Sequence, residues 1–546
     1  MGEKAGKVAR RILAIAMGAK TVREDVKGFV SIQHKVTWMD DDGNVLDVTN
    51  VKHGSFPEHD DPPAKKSKGK CDYIFADWTP PRKEVTKDVT YRARYLELNR
   101  ASKPIVFDFY NHVWDLNSKF VTYYTDDYFK TPSTGYDPSL TTFALALALS
   151  TGRQTFDSTE NADFVKALLK DIGCDEIHIN DYFLSGKKHV ANIGVAIGVK
   201  NIDKPTVFLV IKGSDYGAEF GGNLIIGTHL EARGAHKGFS VAKERVLNYL
   251  KETLSGMGLS GDIRMLVTGY SRGGAVTNLV STEITDMIDN GTIEDELGVR
   301  ISKNDMYGFC FEPALCQNRA NPTDGRYDNI VCIIDPNDPV PKIPPTLYGF
   351  KVFGRICYLD SNNPDVVRRM LAYMDKYFGG GTSSYYNVVN YEPVLGNKTL
   401  GDMIDHIMTL SVKSFGNRDF YVKNVQEDIA YTVYTIEDNI TEVKKVMSTY
   451  DTSKFSIPDL AANLFARKDI AEMVPDADNY DLLKSADTKR MKSVAGQVFG
   501  LIRRFDRKDL MTVSQLLRSN FKLLITPHYP MGPLSFLLAD DPNYRL

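Results

Sequence analysis

The segment Ile263-Arg264-Met265-Leu266-Val267-Thr268-Gly269-Tyr270-Ser271-Arg272-Gly273-Gly274-Ala275-Val276-Thr277-Asn278-Leu279-Val280 joins an apolar run of strand length, a serine framed by glycines, and the opening of a helix. Residues 269–273 fit G-x-S-x-G, a pattern that arises by chance in many chains. Its weight comes from the flanks, because strand, sharp turn and helix in that order expose a serine hydroxyl on a strained turn. A serine hydroxyl is a poor nucleophile until a base takes its proton. Glycines at 269 and 273 let strand and helix pack closely around the turn, and the backbone N–H of Arg272 faces the place where an oxyanion would develop.

Further patterns lie on either side. Upstream, Thr206-Val207-Phe208-Leu209-Val210-Ile211 is a strand that ends in Lys212-Gly213-Ser214. Asn223-Leu224 follows, then His236-Lys237-Gly238-Phe239, with Phe239, Ala242, Val246, Leu250 and Leu254 at helical spacing. Downstream, Met306 to Phe311 and Asn329 to Ile334 are strands, and the second runs into Asp335-Pro336-Asn337-Asp338-Pro339-Val340-Pro341. Strands alternate with helices from about residue 137 to about 360, the pattern of a layered α/β sheet. Residues 140–150 and 162–172 read as helices, and residues 190–199 and 350–358 as further strands.

An apolar strand, basic-Gly-Ser, His-x-Gly-Phe opening a helix, G-x-S-x-G-G, and Asn-Asp-x-Val-Pro together resemble the class 3 lipases. The resemblance covers residues 137–360. It implies an α/β-hydrolase fold, an acyl hydrolase activity on carboxylic esters, and a Ser-Asp-His triad that needs no cofactor and no metal. Carried over position by position, it implies Ser271 as nucleophile, Asp338 as acid, and Ser214 with the N–H of Arg272 as oxyanion donors. Asp335 is the competing acid, as a residue that caps the turn. The base must follow the acid in this fold, which leaves His406 and His528. His406, in Asp405-His406-Ile407-Met408-Thr409, resembles the base motif at the start of the last helix and is the expected base. His528 lies in the proline-flanked Thr526-Pro527-His528-Tyr529-Pro530. His236 matches the family motif but precedes the serine, so its role is structural. The chain departs from the family at Lys212, usually Arg, and at Arg272. A charge beside the elbow is expected to shape the mouth of the pocket.

Four segments follow from this reading. Residues 1–30 form an N-terminal segment, 31–98 a small β-rich module, 99–415 the hydrolase domain, and 416–546 a helical C-terminal extension. In the module, Val36 to Met39 and Val45 to Val48 flank Asp40-Asp41-Asp42-Gly43-Asn44, a tight hairpin turn. Residues 73–78 and 89–95 alternate like two more strands. Trp38 to Leu46, Gly54, Pro62-Pro63, Phe75, Trp78 and Val85 to Tyr95 resemble the internalin B-repeat family, which implies a β-grasp-like spacer or a module for an unknown partner.

Composition bounds the rest. With 546 residues the chain exceeds one ordinary core. A net charge of −3 gives no electrostatic case for nucleic acid. No apolar stretch approaches the ~18 residues of a membrane span. Lys4, Lys7, Arg10 and Arg11 before the apolar residues 12–19 read as a short amphipathic helix rather than a secretion signal. The expected location is therefore the cytoplasm, although the B-repeat resemblance points to the cell surface. Six cysteines form no CxxC pair, and Cys332 lies in an apolar run where a buried thiol is expected. The expected partner is a lipid or ester substrate, with transient contact at a lipid interface. Esterase, phospholipase and thioesterase readings share the same machinery, and a binding scaffold without turnover is the alternative of another class.

Overall fold

The structure is a computed structural model of the 546-residue chain. It describes residues 32–62, 64–111, 116–152, 162–180, 192–214, 223–227, 234–319, 325–361, 363–379 and 526–544. Positions 382–383, 401, 404–406, 408–409, 412, 416–424 and 426 are described as well. The N-terminal segment 1–30 and the greater part of the segment 416–546 lie outside the described residues.

The described residues form two compact units. One holds those up to Lys66 together with Tyr73–Tyr95, and the other holds Ser67–Asp72 and those from Leu96 onward. In the first, β1 (Gln33–Met39), β2 (Val45–Lys52), β3 (Cys71–Thr79) and β4 (Val89–Asn99) build a sheet in the order β2-β1-β4-β3. The β1–β2 hairpin closes through Gly43 at φ +92, with the Asp40 carboxylate accepting from the Asn44 backbone N–H at 2.7 Å. Strand β4 pairs parallel to β1. The core of this unit is aromatic: Trp38 stacks on Tyr91 at 4.8 Å and meets Trp78 edge-on at 4.9 Å.

The second unit is built on a seven-stranded sheet. Its strands are β7 (Glu176–Ile179), β8 (Val195–Asn201), β9 (Pro205–Ile211), β10 (Arg264–Tyr270), β11 (Met306–Phe311), β12 (Ile330–Ile334) and β13 (Arg355–Tyr358), in the order β13-β12-β11-β10-β9-β8-β7. β9 to β13 run parallel, and β8 and β7 are antiparallel additions at one edge. Both faces are covered, which is why these strands read as unbroken apolar runs. Phe208, Val210, Leu266 and Tyr270 enter one core, while Val207, Leu209, Met265 and Val267 enter the other.

The first face carries α1 (Pro138–Leu149), α2 (Asp163–Asp171), α5 (Pro364–Phe378), α6 (Met531–Asp540) and the antiparallel hairpin of β5 (Pro104–Asn111) with β6 (Leu116–Tyr123). The second face carries α3 (Lys237–Gly256) and α4 (Arg272–Asn290). The strand expected over 350–358 is confined to β13, because Gly354 turns the chain at φ +108, where a side chain would meet the Ile330 carbonyl oxygen at 2.5 Å.

Within the segment expected as a helical C-terminal extension, residues 526–544 pack into the core of the second unit. Met531, Leu534, Phe536, Leu537 and Leu538 of α6 are buried in the sheet core against α1 and α5. Hydrogen bonds fasten this segment, among them two made by Ser139 and Tyr544. Ser139 Oγ donates to Asp541 at 2.8 Å, and the Tyr544 hydroxyl donates to the Val121 carbonyl at 3.0 Å.

Candidate active site

β10 delivers Ser271 into a backbone conformation of φ +59, ψ −124, and α4 begins at the next residue. An L-residue adopts a positive φ only where its surroundings over-determine it. Here the Ser271 N–H donates to the Phe311 carbonyl at 2.9 Å and the Ser271 carbonyl accepts from Ala275 at 3.0 Å. Glycine is required on both sides. A methyl group on Gly269 would come within 2.5 Å of the Gly273 carbonyl, and one on Gly273 within 2.4 Å of the Ile211 carbonyl oxygen.

The Ser271 hydroxyl donates to Nε2 of His528 at 2.8 Å, and His528 Nδ1 donates to Asp338 Oδ2 at 2.7 Å. This is the tautomer the two partners require. Asp338 is fully buried at the turn after β12, where its Oδ1 accepts from the Val340 N–H at 2.8 Å. His528 sits in the single turn that precedes α6, and the Tyr270 hydroxyl donates to its carbonyl at 3.0 Å. The residue before the candidate nucleophile thus fixes the backbone of the candidate base.

The expectation of His406 as base is corrected by this geometry, since both contacts a base would make are taken by His528. His406 lies half-buried in residues 404–406, and its neighbour Asp405 pairs with Lys342 Nζ at 2.8 Å. Asp335, the competing acid, is buried. Its Oδ1 accepts from the Asn337 N–H at 2.9 Å, as a turn cap does.

Arg272 also differs from expectation. Its guanidinium does not reach the mouth of a pocket: the residue is 1% exposed, and Nη1 donates to Asn223 Oδ1 at 2.7 Å. Nη2 donates to the Asn192 carbonyl at 3.3 Å. An Arg can only donate, so the Asn223 oxygen faces Arg272 and the amide nitrogen is turned outward. That nitrogen donates to Ser214 Oγ at 3.1 Å. The Ser214 hydroxyl therefore accepts from Asn223 and keeps its own proton to give elsewhere.

His236 fastens the same loop. Burial pushes its pKa down to about 3, so the ring is neutral. Nε2 donates to the Asn223 carbonyl at 2.9 Å, and Nδ1 accepts from the Phe239 N–H at 3.4 Å, which caps α3. The sequence pattern assigns no role to Asn223, which it marks, nor to Tyr270 or to Glu312, a buried acid beside Asp338.

No protein-family profile matches the chain, and no curated protein matches it. Among solved structures, a triacylglycerol lipase described as having a serine protease triad as its catalytic centre is 17% identical. The match covers 42% of this chain and 83% of that one, with a TM-score of 0.29. Lipase II from Rhizopus niveus is 17% identical over 47% of this chain and 84% of its own, with a TM-score of 0.27. The Rhizomucor miehei lipase propeptide complex is 18% identical over 40% and 67%, with a TM-score of 0.28.

Proposed function

We propose that the chain is a serine-dependent carboxylic ester hydrolase of the lipase kind, with Ser271, His528 and Asp338 as its triad. The observation that carries the reading is the pair of hydrogen bonds from one imidazole to Ser271 and to a buried Asp338. Strand, elbow and helix, with the order serine, acid, histidine, are the α/β-hydrolase arrangement.

In this reading Ser271 Oγ attacks the ester carbonyl as His528 Nε2 takes its proton. Asp338 holds the ring in its tautomer and stabilises the imidazolium that forms. The Arg272 N–H and the Ser214 hydroxyl receive the oxyanion. Collapse of the tetrahedral intermediate expels the alcohol, which takes the proton from His528. Water then attacks the acyl-enzyme, with His528 as base again. Acylglycerols are the preferred substrate class, and smaller esters, phospholipids and thioesters would use the same atoms. The N-terminal sheet holds none of the catalytic candidates and is read as a spacer or binding module.

A fluorophosphonate probe and a panel of p-nitrophenyl esters, triacylglycerols and phospholipids test the proposal. The wild-type chain is expected to label and turn over, and Ser271→Ala to do neither while melting at the same temperature. A wild-type chain that neither labels nor hydrolyses any ester would leave a scaffold with the hydrolase architecture.

A further inference from the structure

Glu312, the residue after β11, is fully buried, yet it has no place in the relay from Ser271 to Asp338. Its backbone is held at φ +44, a conformation that residues with side chains avoid. The peptide group before it is fixed at both ends, because the Glu312 N–H donates to the Ile333 carbonyl at 2.9 Å and the Phe311 carbonyl accepts from Ser271 at 2.9 Å. Strain of this kind persists where the surroundings impose it, and it concentrates at working sites. Here it sets the Glu312 side chain beneath the turn that carries Asp338.

The Asp335 N–H donates to both oxygens of Glu312, at 2.9 and 3.1 Å. Asp338 closes the same turn, its N–H donating to the Asp335 carbonyl at 3.0 Å, which brings its carboxyl beside that of Glu312. Both groups are fully buried, and two carboxylates in such contact cannot both stay ionised. Asp338 already accepts from His528 and from Val340, so an acceptor is what its neighbours require. The other charged or titratable groups around the cluster are Asp335 and Lys342, and the Lys342 ammonium is paired with Asp405. A shared proton therefore has its place on Glu312.

We propose that Glu312 is a positioning residue that stays protonated and donates to Asp338, fixing the carboxylate that orients His528. This rests on the triad reading given above. Burial, reinforced by the charges of Asp338 and Asp335, raises the Glu312 carboxyl well above the ordinary glutamate value, as a standing donor requires. No proton leaves Glu312 during turnover. Its hydrogen bond leaves Asp338 free to face Nδ1 in one geometry through each cycle.

The experiment compares the full chain with Glu312→Gln and Glu312→Met, and with Ser271→Ala in parallel. Glutamine keeps the shape and a donor, whereas methionine keeps the volume alone. Glu312→Gln is expected to hold kcat within about threefold of wild type. Glu312→Met is expected to lose about 10–100-fold in kcat with KM nearly unchanged, the scale of one hydrogen bond to a charged group. An infrared difference spectrum between wild type and Glu312→Gln at neutral pH should show the carbonyl band of one protonated carboxyl in wild type only. That reading stands even where Glu312→Met fails to fold. Full activity in Glu312→Met, collapse of activity in a well-folded Glu312→Gln, or no protonated band would each overturn the proposal. Activity surviving in Ser271→Ala would instead overturn the triad itself.

Discussion

Replacing His528 by glutamine removes the basic nitrogen facing Ser271 while leaving an amide that can donate to Asp338. The distinction matters because Asp338 is fully buried and His528 Nδ1 is one of its partners, at 2.7 Å. His528→Ala would leave that carboxylate short of a donor, at a cost of about 1–3 kcal/mol or more, and would mix instability with lost chemistry. In His528→Gln the chemical loss stands apart. Ser271 Oγ keeps its place on the elbow but has no base at 2.8 Å to take its proton. Loss of one triad member costs on the order of 10⁴–10⁶-fold in kcat in serine hydrolases, or about 5.5–8 kcal/mol at ~1.36 kcal/mol per tenfold. The assay is p-nitrophenyl ester hydrolysis at saturating substrate, with thermal melting in parallel. His406→Ala is the matched control and is expected to stay within about threefold, as a position outside the triad. If His406→Ala abolished turnover at unchanged melting temperature while His528→Gln kept it, the base assignment read from the hydrogen bonds would be refuted.

Asn223→Ala removes the donor that orients Ser214, so kcat should fall about tenfold with KM little changed, as expected when one hydrogen bond that acts in the transition state is lost. Steady-state kinetics check this, and a pure KM effect would move Asn223 to substrate binding. Asp335→Asn should stabilise the chain increasingly as pH rises from about 4 to about 7. Burial raises the Asp335 pKa from 3.8 to about 7, so the folded state binds a proton that the unfolded state has released, and wild-type stability falls across that window. The shift corresponds to up to about 4 kcal/mol. Urea denaturation at several pH values reads it, and a gap between variant and wild type that is constant with pH would show that Asp335 does not titrate there.

What the sequence made legible was local. β10, Ser271 and α4 stand in one continuous stretch whose glycines sit where backbones come within 2.5 Å of a would-be side chain. Asp338 was legible through the family resemblance, which places the acid immediately before Pro339-Val340-Pro341, and the turn itself offered Asp335 as well. The direction of the Arg272 side chain was not, because an arginine after the elbow can turn to solvent or fold inward. Its inward course depends on Asn223 and Asn192, which lie 49 and 80 positions away. Glu312 was hidden for another reason. Its role depends on a left-handed backbone that no propensity assigns to glutamate.

His528 shows where reading by proximity along the chain fails. Measured along the chain it is 190 positions from Asp338, and His406 looked far better placed. Yet α6, which follows His528, reads Met531-Gly532-Pro533-Leu534-Ser535-Phe536-Leu537-Leu538, apolar on every side. A helix of that kind has no face for solvent and must lie in a core. The core it enters is the sheet face lined by α1 and α5, and burying α6 there carries the preceding turn to the C-terminal edge of β10 and β12. The proposed base is thus placed by hydrophobic burial of the residues behind it, and the Tyr270 hydroxyl holds its backbone carbonyl at 3.0 Å. The signal for the base lay in the helix after His528 rather than in the motif around His406.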